Sequence, residues 1–471
     1  PFVIPVVEGA RSRFQLLNCG YQITQTLSTI DKILSDHIAE LYIAIGTLSA
    51  TMTSSTSVIT QSFDDLYVQC SLDILKIAGG FVQSLRGFEC QTHDQLRSMG
   101  VGLRASLAQM AAADDGGTNG GGGGASSASD LNNSVDSLSM VEVGTLLARE
   151  VCGGKTREQR QEHLATLQRF AGGDGRAVQQ GGNRASSSPE LFPHTREELK
   201  KLITTCQTFV FDVCSSVPNH WLSPSNMSEL KIWRAEDNEE QSSSNNNNDS
   251  YSVLPQVYIT QVGEHILALV QALEPFTSSP EALMLANEVM EDVKDVAIQP
   301  WKDFVVSTGV GGNVTSPIAL EEVVSSLINS GSGEVAEWFH DDDDKHPADD
   351  DDDEEGEDDG EATFCNEWLG VVGSAVTGRL LERIMRIQKL GKRGGEHLNA
   401  DLNYILNVLT ALGLSDHPHP LLQRIGELAI MDKLELRDVI RASGGNYGDG
   451  LGAIIRGAEV RIATLRGVSG Y

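Results

Sequence analysis

The sequence predicts an all-α fold, an elongated rod of consecutive helical bundles with long disordered loops. Apolar residues recur at spacings of three and four over most of the chain, which is the period of an amphipathic helix. No stretch keeps the strict alternation of a half-buried strand for long. Between the helical stretches lie segments rich in glycine, serine, asparagine or aspartate, which lack the apolar side chains that a packed core needs.

Five long helices are predicted before the acidic part of the chain. The second is interrupted at Gly79-Gly80, and the third opens with Thr195 followed by Glu198, the pattern of a capping box. The five helices span Phe14 to Leu48, Phe63 to Leu85, Thr195 to Cys214, Val253 to Phe276 and Glu281 to Ile298.

The last hundred residues predict an antiparallel four-helix bundle with short connections. Gly391 is expected to end the first of these helices in the left-handed conformation, and Gly413 to close the second. We expect this bundle to fold as a unit and to present a binding surface for transient partners. Its predicted helices span Trp368 to Leu390, Leu398 to Leu412, Leu421 to Ala442 and Leu451 to Arg466.

Four polar segments divide the chain: Asp114 to Asp130, Ala171 to Pro189, Glu236 to Ser250 and Asp341 to Glu361. The predicted domain order therefore begins with a helical segment at 1–113 and a Gly/Ser/Asp-rich linker at 114–139. Helical bundles with disordered loops near 171–190 and 236–250 follow at 140–335. An acidic linker at 336–364 then precedes the four-helix bundle at 365–471.

The charge of the chain is strongly negative and unevenly distributed. The 471 residues carry 35 Lys+Arg against 66 Asp+Glu, a net charge of −31, which argues against a nucleic-acid binder or a polybasic membrane anchor. Asp341 to Glu361 alone holds fifteen acids and one lysine, whereas Cys365 to Tyr471 holds 13 Lys+Arg and 11 Asp+Glu. No apolar stretch reaches the roughly 18–20 residues of a membrane span.

Seven scattered cysteines without a Cys-x-x-Cys pair indicate reduced thiols in a cytosolic protein. Cys206 and Cys214 are expected to be buried, since both lie on a predicted helix. Because the chain begins at Pro1 without a signal pattern, we interpret it as a fragment of a longer protein.

Nothing in the sequence predicts an enzyme. It contains no phosphate-binding loop of the Gly-x-x-x-x-Gly-Lys-Ser/Thr type, no His-Glu-x-x-His and no Gly-x-Ser-x-Gly elbow, so we expect no catalytic, cofactor-binding or metal-binding residues. Gly120 to Gly124 is interpreted as a linker. His417 and His419 could ligate a metal, but a surface turn is the better interpretation. His340 and His346 flank four aspartates that could attract a cation weakly, although the spacing is not that of a calcium loop.

Three residues near the C-terminal bundle could contact a partner. Trp368 offers the large area of an exposed aromatic anchor, but a tryptophan at a helix start usually packs inward, and we expect that here. Tyr404 and Asn407 lie on the polar shoulder of an apolar stripe, and the same two interpretations apply to them. No partner-binding residue is assigned.

Several stretches carry a resemblance to a known family. In this order they resemble the C-terminal part of subunit 7 of the conserved oligomeric Golgi complex. The stretches are Pro255 to Leu267, Leu273 to Phe276, Trp368 to Gly370, His397 to Leu414, Ile462 to Val468 and Tyr471.

The resemblance implies a helical-rod subunit of a tethering complex on the cytosolic face of Golgi membranes. It implies a role in intra-Golgi retrograde transport, and so in the maintenance of glycosylation enzymes, by scaffolding. Other subunits of the complex would be its partners, with SNAREs, small GTPases and coiled-coil tethers as further contacts, and nucleic acid would not. The composition leaves an alternative: an acidic chaperone or scaffold that binds basic proteins through Asp341 to Glu361.

Overall fold

The computed structural model describes residues 23–54, 65–114, 191–235, 253–277, 279–309, 317–329, 360–414, 419–442 and 450–469. Within these ranges the chain forms helices and no strand, which confirms the predicted all-α class. The α-helices are α1 (Ile23–Ser54), α2 (Asp65–Asp114), α3 (Pro193–Trp221), α4 (Val257–Thr277), α5 (Pro280–Ser307), α6 (Pro317–Asn329), α7 (Gly360–Met385), α8 (Lys392–Ala411), α9 (Pro420–Ile430), α10 (Lys433–Ala442) and α11 (Leu451–Leu465).

Two short elements follow α3: a π-helical turn at Pro224–Ser228 and a 3-10 turn at Lys231–Arg234. Nearly all of the residues in the four predicted polar segments lie outside the described ranges. The exceptions are Asp114, at the end of α2, and Gly360 and Glu361, which belong to α7. None of the described helices combines the length and the apolar composition that crossing a membrane requires.

The chain divides into two compact units, one made of residues 1–44 and 80–202 and the other of residues 45–79 and 203–471. The predicted domain boundaries stay a prediction. In the first unit, Phe88 of α2 stacks on Phe192, with ring centroids 5.8 Å apart. Ile30, Leu34 and Ile38 of α1 are buried at the predicted helical spacing.

In the second unit, α7 packs on α5 and also contacts α4. Trp301 of α5 is buried against α7 and donates a hydrogen bond from Nε1 to the carbonyl oxygen of Ser374, 2.9 Å away. The C-terminal helices pack on one another and on α4. Helix α8 packs on α9, α4 and the 3-10 turn, and α11 packs on α9 and α10. The core of the C-terminal helices is therefore continuous with that of α4 and α5.

The predicted capping box at Thr195 is wrong. Helix α3 begins two residues earlier, at Pro193, and its first amide groups are capped by Asp31 of α1. Asp31 Oδ1 accepts hydrogen bonds from the Thr195 amide at 2.8 Å and from its hydroxyl at 2.7 Å, and Oδ2 accepts one from the His194 amide at 3.3 Å. A carboxylate from another helix thus replaces the local cap.

The predicted helix interruption at Gly79-Gly80 is also wrong, because α2 continues through both residues. Each glycine costs about 1 kcal/mol relative to alanine in a helix interior. The apolar residues on either side, Ala78 and Val82, are buried, and burial of such a face outweighs local propensity.

Gly391 does not end a helix in the left-handed conformation. Helix α7 ends at Met385, and Gly391 is the N-cap of α8 with φ of −73°. A Cβ atom at this position would overlap the carbonyl group of Ala235, so the residue is required for close backbone approach. Gly413, by contrast, has φ of +65° after α8, as predicted.

The predicted C-terminal four-helix bundle contains five helices, because Leu421 to Ala442 is two helices. Helix α9 ends at Ile430 and α10 begins at Lys433, with Met431 in an extended conformation between them. Arg466 of the last turn donates from Nη2 to the Met431 carbonyl oxygen at 3.1 Å, which satisfies an acceptor that the break leaves open.

Candidate functional site

The structure brings together two of the stretches that carry the resemblance. Helix α4 contains most of Pro255 to Leu267, α8 contains most of His397 to Leu414, and the two helices pack on each other. Four polar side chains join them at the start of α4: Gln256, Tyr258, His397 and Asp401. We call this set the polar joint.

Asp401 is the centre of the polar joint and is completely buried. Its Oδ1 accepts a hydrogen bond from the Gln256 amide and its Oδ2 accepts one from the Tyr258 hydroxyl, each at 2.6 Å. The Gln256 side-chain amide lies 2.9 Å from His397 Nδ1. A carboxylate on α8 thus caps the first turn of α4, where the free amides of a helix need acceptors.

Burial dominates the protonation chemistry of the polar joint. Desolvation raises the pKa of Asp401 to about 7, against the lowering effect of the two hydrogen bonds that it accepts. Burial and the neighbouring Asp401 raise the pKa of Tyr258 well above its usual value, so the phenol stays protonated and donates its hydrogen. Tyr258 and Asp401 are buried, whereas Gln256 and His397 are partly exposed. The set can hold a proton, and it joins the two helices.

Two further close contacts join α4 to its neighbours, one to α8 and one to α3. Gly263 leaves room for the ring of Tyr404, whose Cε1 would lie 2.5 Å from a Cβ atom there. Two residues on, His265 is buried and its Nε2 lies 2.6 Å from the Cys214 carbonyl oxygen of α3. Burial lowers the pKa of His265 to about 4, so the ring is neutral at physiological pH.

The residues singled out from the sequence lie mostly in the core. Trp368 is buried, as predicted, and so are Cys206 and Cys214, where burial raises the pKa of each thiol to about 12. Tyr404 is half-buried against Gly263, whereas Asn407 is exposed.

The prediction of a surface turn at His419 is wrong. His419 is buried, its ring lies 5.5 Å from that of Trp301, and its Nε2 lies 3.1 Å from the Leu327 carbonyl oxygen. Burial lowers the pKa of His419 to about 4. His340, His346 and His417 lie outside the described residues, as does Gly120 to Gly124. Across the described ranges, no group of three or more His, Cys, Asp or Glu residues could hold a metal ion.

One feature was missed in the sequence although its signal is plain. Between Arg379 and Arg393 the chain carries six cations and one acid, in a protein with a net charge of −31. The region from Cys365 to Tyr471 as a whole holds 13 Lys+Arg and 11 Asp+Glu, so its overall charge does not reveal this local excess. We call the six cations the basic surface: Arg379, Arg383, Arg386, Lys389, Lys392 and Arg393.

Comparison with protein families finds that residues 159–297 match the family described as Golgi complex component 7 (COG7). The chain resembles subunit 7 of the conserved oligomeric Golgi complex. The match to component 7 includes α3, α4 and the first two of the stretches quoted for the resemblance, and it stops before α7 and α8.

A curated relative supports the same resemblance. The chain is 23% identical over 255 residues to conserved oligomeric Golgi complex subunit 7 of Arabidopsis thaliana. The aligned part is 54% of this chain and spans about a fifth (21%) of that relative. No solved structure matches the chain.

Proposed function

We propose that this chain is the C-terminal part of a subunit of a multisubunit vesicle-tethering complex on the cytosolic face of Golgi membranes. It acts without catalysis, by protein–protein scaffolding in intra-Golgi retrograde transport, and so in the maintenance of glycosylation enzymes. The observation that carries the proposal is the match of residues 159–297 to Golgi complex component 7.

The packing of the second unit supports a scaffold. Its buried polar side chains are used to hold helices to one another, as Asp401 holds α8 to α4 and His265 holds α4 to α3. Scaffolding needs rigid helical surfaces, and such joints supply rigidity. We propose other subunits of the same complex as the stable partners. SNAREs, small GTPases and coiled-coil tethers are proposed as transient partners, and nucleic acid is not a partner.

Affinity purification of the full-length protein tests the proposal. We expect a stoichiometric set of other helical subunits to co-purify from cells under conditions that preserve complexes. Recovery of the protein alone, or with substoichiometric and variable partners, would contradict membership in a stable assembly.

The acidic chaperone alternative makes a different prediction in the same experiment. A bait in which residues 341–361 are replaced by a Gly/Ser segment of equal length removes a net charge of −14. A chaperone that holds basic proteins through this run would lose them with the replacement. The tethering subunit should keep its stoichiometric set.

A further inference from the structure

Asp401 of the polar joint is an acid held between two helices by neutral donors. It is completely buried, and its two oxygens accept hydrogen bonds from the Gln256 amide and the Tyr258 hydroxyl, each at 2.6 Å. A buried carboxylate keeps its charge only where the surrounding groups replace the water that burial removes. Two neutral donors replace part of that water. The charged form of Asp401 is therefore unfavourable in the closed joint.

Both protonation states of Asp401 are populated around neutral pH. Burial is the largest effect on this carboxyl group and outweighs the two hydrogen bonds, so the pKa of Asp401 is raised to about 7. The Tyr258 hydroxyl suits both states, because a phenol can donate to a carboxylate or, after rotation about its C–O bond, accept from a carboxyl group. The hydrogen bond thus survives protonation, whereas the cost of burial arises with the charge.

The charged side chains of the other elements that pack on α8 are directed elsewhere. In the 3-10 turn, Arg234 donates to a glutamine of the α7–α8 connector at 2.6 Å, and Lys231 is exposed. In α9, Arg424 donates to Glu459 of α11 at 3.0 Å and lies 3.6 Å from Glu427. Outside the polar joint, the ionisable side chains of α4 and α8 are Glu264, His265, Glu274, Lys392, Arg393, Glu396 and Tyr404. What shifts the pKa of Asp401 is burial and its own two hydrogen bonds.

His397 is the rival of Asp401 as a pH sensor within the polar joint. Histidine is the side chain that ordinarily titrates near neutral pH, and His397 Nδ1 lies 2.9 Å from the Gln256 side-chain amide. His397 is partly exposed, whereas Asp401 is completely buried. Water solvates both forms of an exposed group, so the charge that the fold opposes is the one on Asp401.

The segment that enters α4 is weakly held by apolar contacts. Leu254 and Val257 are 69% and 66% exposed. The Gln256 amide between them is bonded to Asp401. Native proteins open locally where few apolar side chains are buried. A weakened bond to Asp401 therefore frees this segment before it affects the later turns of α4, where Ile266 is completely buried.

We propose that the polar joint is a pH-sensitive closure between the start of α4 and α8. Protonation of Asp401 favours the closed joint. Ionisation favours a local opening of the segment from Leu254 to Tyr258, which lets water reach the carboxylate while the rest of the unit stays folded. This response belongs to the fold and does not depend on the scaffolding role.

The direction of the response follows from linkage. In the open joint Asp401 is exposed and titrates near pH 4, whereas in the closed joint its pKa is about 7. The contribution of protonated Asp401 to closure is therefore complete below about pH 4 and is lost as the pH rises to about 7. Between pH 5.5 and 7.5 the equilibrium constant for opening should rise about twentyfold.

Hydrogen exchange at the Gln256 amide measures the opening, because this amide is bonded to Asp401. The whole chain is followed between pH 5.5 and 7.5, and each rate is divided into the rate of an unstructured peptide at the same pH to give a protection factor. The protection factor should fall about twentyfold over this interval. Low concentrations of urea should change it little, because a local opening exposes little surface.

Two results of this experiment would overturn the proposal. One is a protection factor of the Gln256 amide that stays constant with pH. The other is a urea dependence as steep as that of the Ile405 amide in the middle of α8, since the opening would then be global.

Replacement of each candidate sensor identifies the group that responds. Asp401→Asn keeps an oxygen acceptor for the Gln256 amide and cannot ionise, so the protection factor should vary less than about twofold with pH. His397→Asn removes the imidazole and should keep most of the twentyfold fall. A pH response that persists in Asp401→Asn, or disappears in His397→Asn, would show that Asp401 is not the sensor.

Tyr258→Phe tests the same point in a chain that keeps Asp401. The hydrogen bond from Tyr258 lowers the pKa of Asp401 against the effect of burial. Its loss should therefore move the midpoint of the pH response to higher pH and leave the response in place. A midpoint that stays, or moves to lower pH, would overturn the proposal even if Asp401→Asn failed to fold.

Discussion

At the scale of single residues, Asp401 accepts the two hydrogen bonds that join α4 to α8 in the polar joint. It is fully buried, accepts two hydrogen bonds of 2.6 Å, and has a pKa raised to about 7. An unfolded aspartate releases its proton near pH 4. The stability that the protonated form contributes is therefore complete below about pH 4 and is lost as the pH rises to about 7.

Asp401→Asn should remove this pH dependence while keeping an oxygen acceptor. Between about pH 5.5 and 7 the wild-type chain should lose roughly 2 kcal/mol of stability relative to the variant. Urea unfolding at both ends of this interval measures the difference. Asp438→Asn on the exposed side of α10 is the control. If the free energy of unfolding of Asp401→Asn changed with pH as much as that of the wild type, the shifted pKa of Asp401 would be refuted.

Gly378 and Gly370 of α7 make a matched pair. A Cβ atom at Gly378 would lie 2.7 Å from Cδ1 of the buried Trp301, whereas one at Gly370 would meet nothing within 4 Å. We expect Gly378→Ala to destabilise the protein by about 1–3 kcal/mol. Gly370→Ala should stabilise it by about 0.5–1 kcal/mol through helix propensity. Chemical unfolding of both variants measures the change in the free energy of unfolding. Equal changes in the two variants would contradict the close packing of Gly378 on Trp301.

The apolar residues of this core were predictable and the polar ones were not. Cys206 and Trp368 are buried, as their residue types and their positions on predicted helices indicated. Asp401 and His419 are also buried. Their hydrogen-bond partners, Tyr258 and the Leu327 carbonyl group, lie far from them in the sequence. A local pattern carries no information about such partners, so polar residues default to the surface in a sequence-based prediction.

At the scale of helices, the start of α3 shows how a distant cap can override a local motif. The sequence Thr195 to Glu198 fits a capping box, yet the Thr195 hydroxyl is bonded to Asp31. The helix could be predicted, but its first residue could not. The break between α9 and α10 could not be predicted either, because it depends on Arg466, which donates a hydrogen bond to the Met431 carbonyl oxygen.

Asp31→Ala should destabilise the start of α3. Loss of a helix cap costs about 0.5–2 kcal/mol, and Asp31→Asn should recover part of it because the amide oxygen still accepts. Hydrogen exchange at the Thr195 amide should accelerate in the alanine variant. Asp36→Ala, five residues along on the exposed side of α1, serves as the control. Unchanged exchange in Asp31→Ala would show that the cap is dispensable.

Leu406 tests the core of α8. Its side chain is buried, so Leu406→Ala should cost about 2–5 kcal/mol through lost transfer energy and the cavity left behind. Leu434 of α10 is 68% exposed, and its replacement by alanine should change the free energy of unfolding little. Denaturant midpoints of the two variants measure the contrast, and similar midpoints would place Leu406 outside the core.

At the scale of the whole molecule, the packing of α7 on α5 bears on where domains can be separated. The sequence predicts a domain boundary in the acidic linker at 336–364, because this segment lacks the apolar side chains that a packed core needs. Trp301 on one side of that linker and Gly378 on the other fit together across it. Composition identifies a linker but not the faces that pack across it.

Removal of residues 360–471 should therefore destabilise the chain that remains. The truncated protein would expose the side of α5 that α7 covers, including Trp301. We expect a lower thermal midpoint and greater binding of an apolar dye than in the intact chain. A truncated chain with an unchanged midpoint would instead support the independent C-terminal domain predicted from the sequence.

The polar joint also has a consequence for synthesis on the ribosome. Gln256 and Asp401 are 145 residues apart, and translation at about 5–20 residues per second needs about 7 to 30 s to cover that distance. Throughout this interval the nascent α4 has neither its cap nor the apolar face of α8, so Tyr258 and its neighbours are open to premature association. This part of the chain should therefore be a preferred substrate for chaperones that bind nascent proteins.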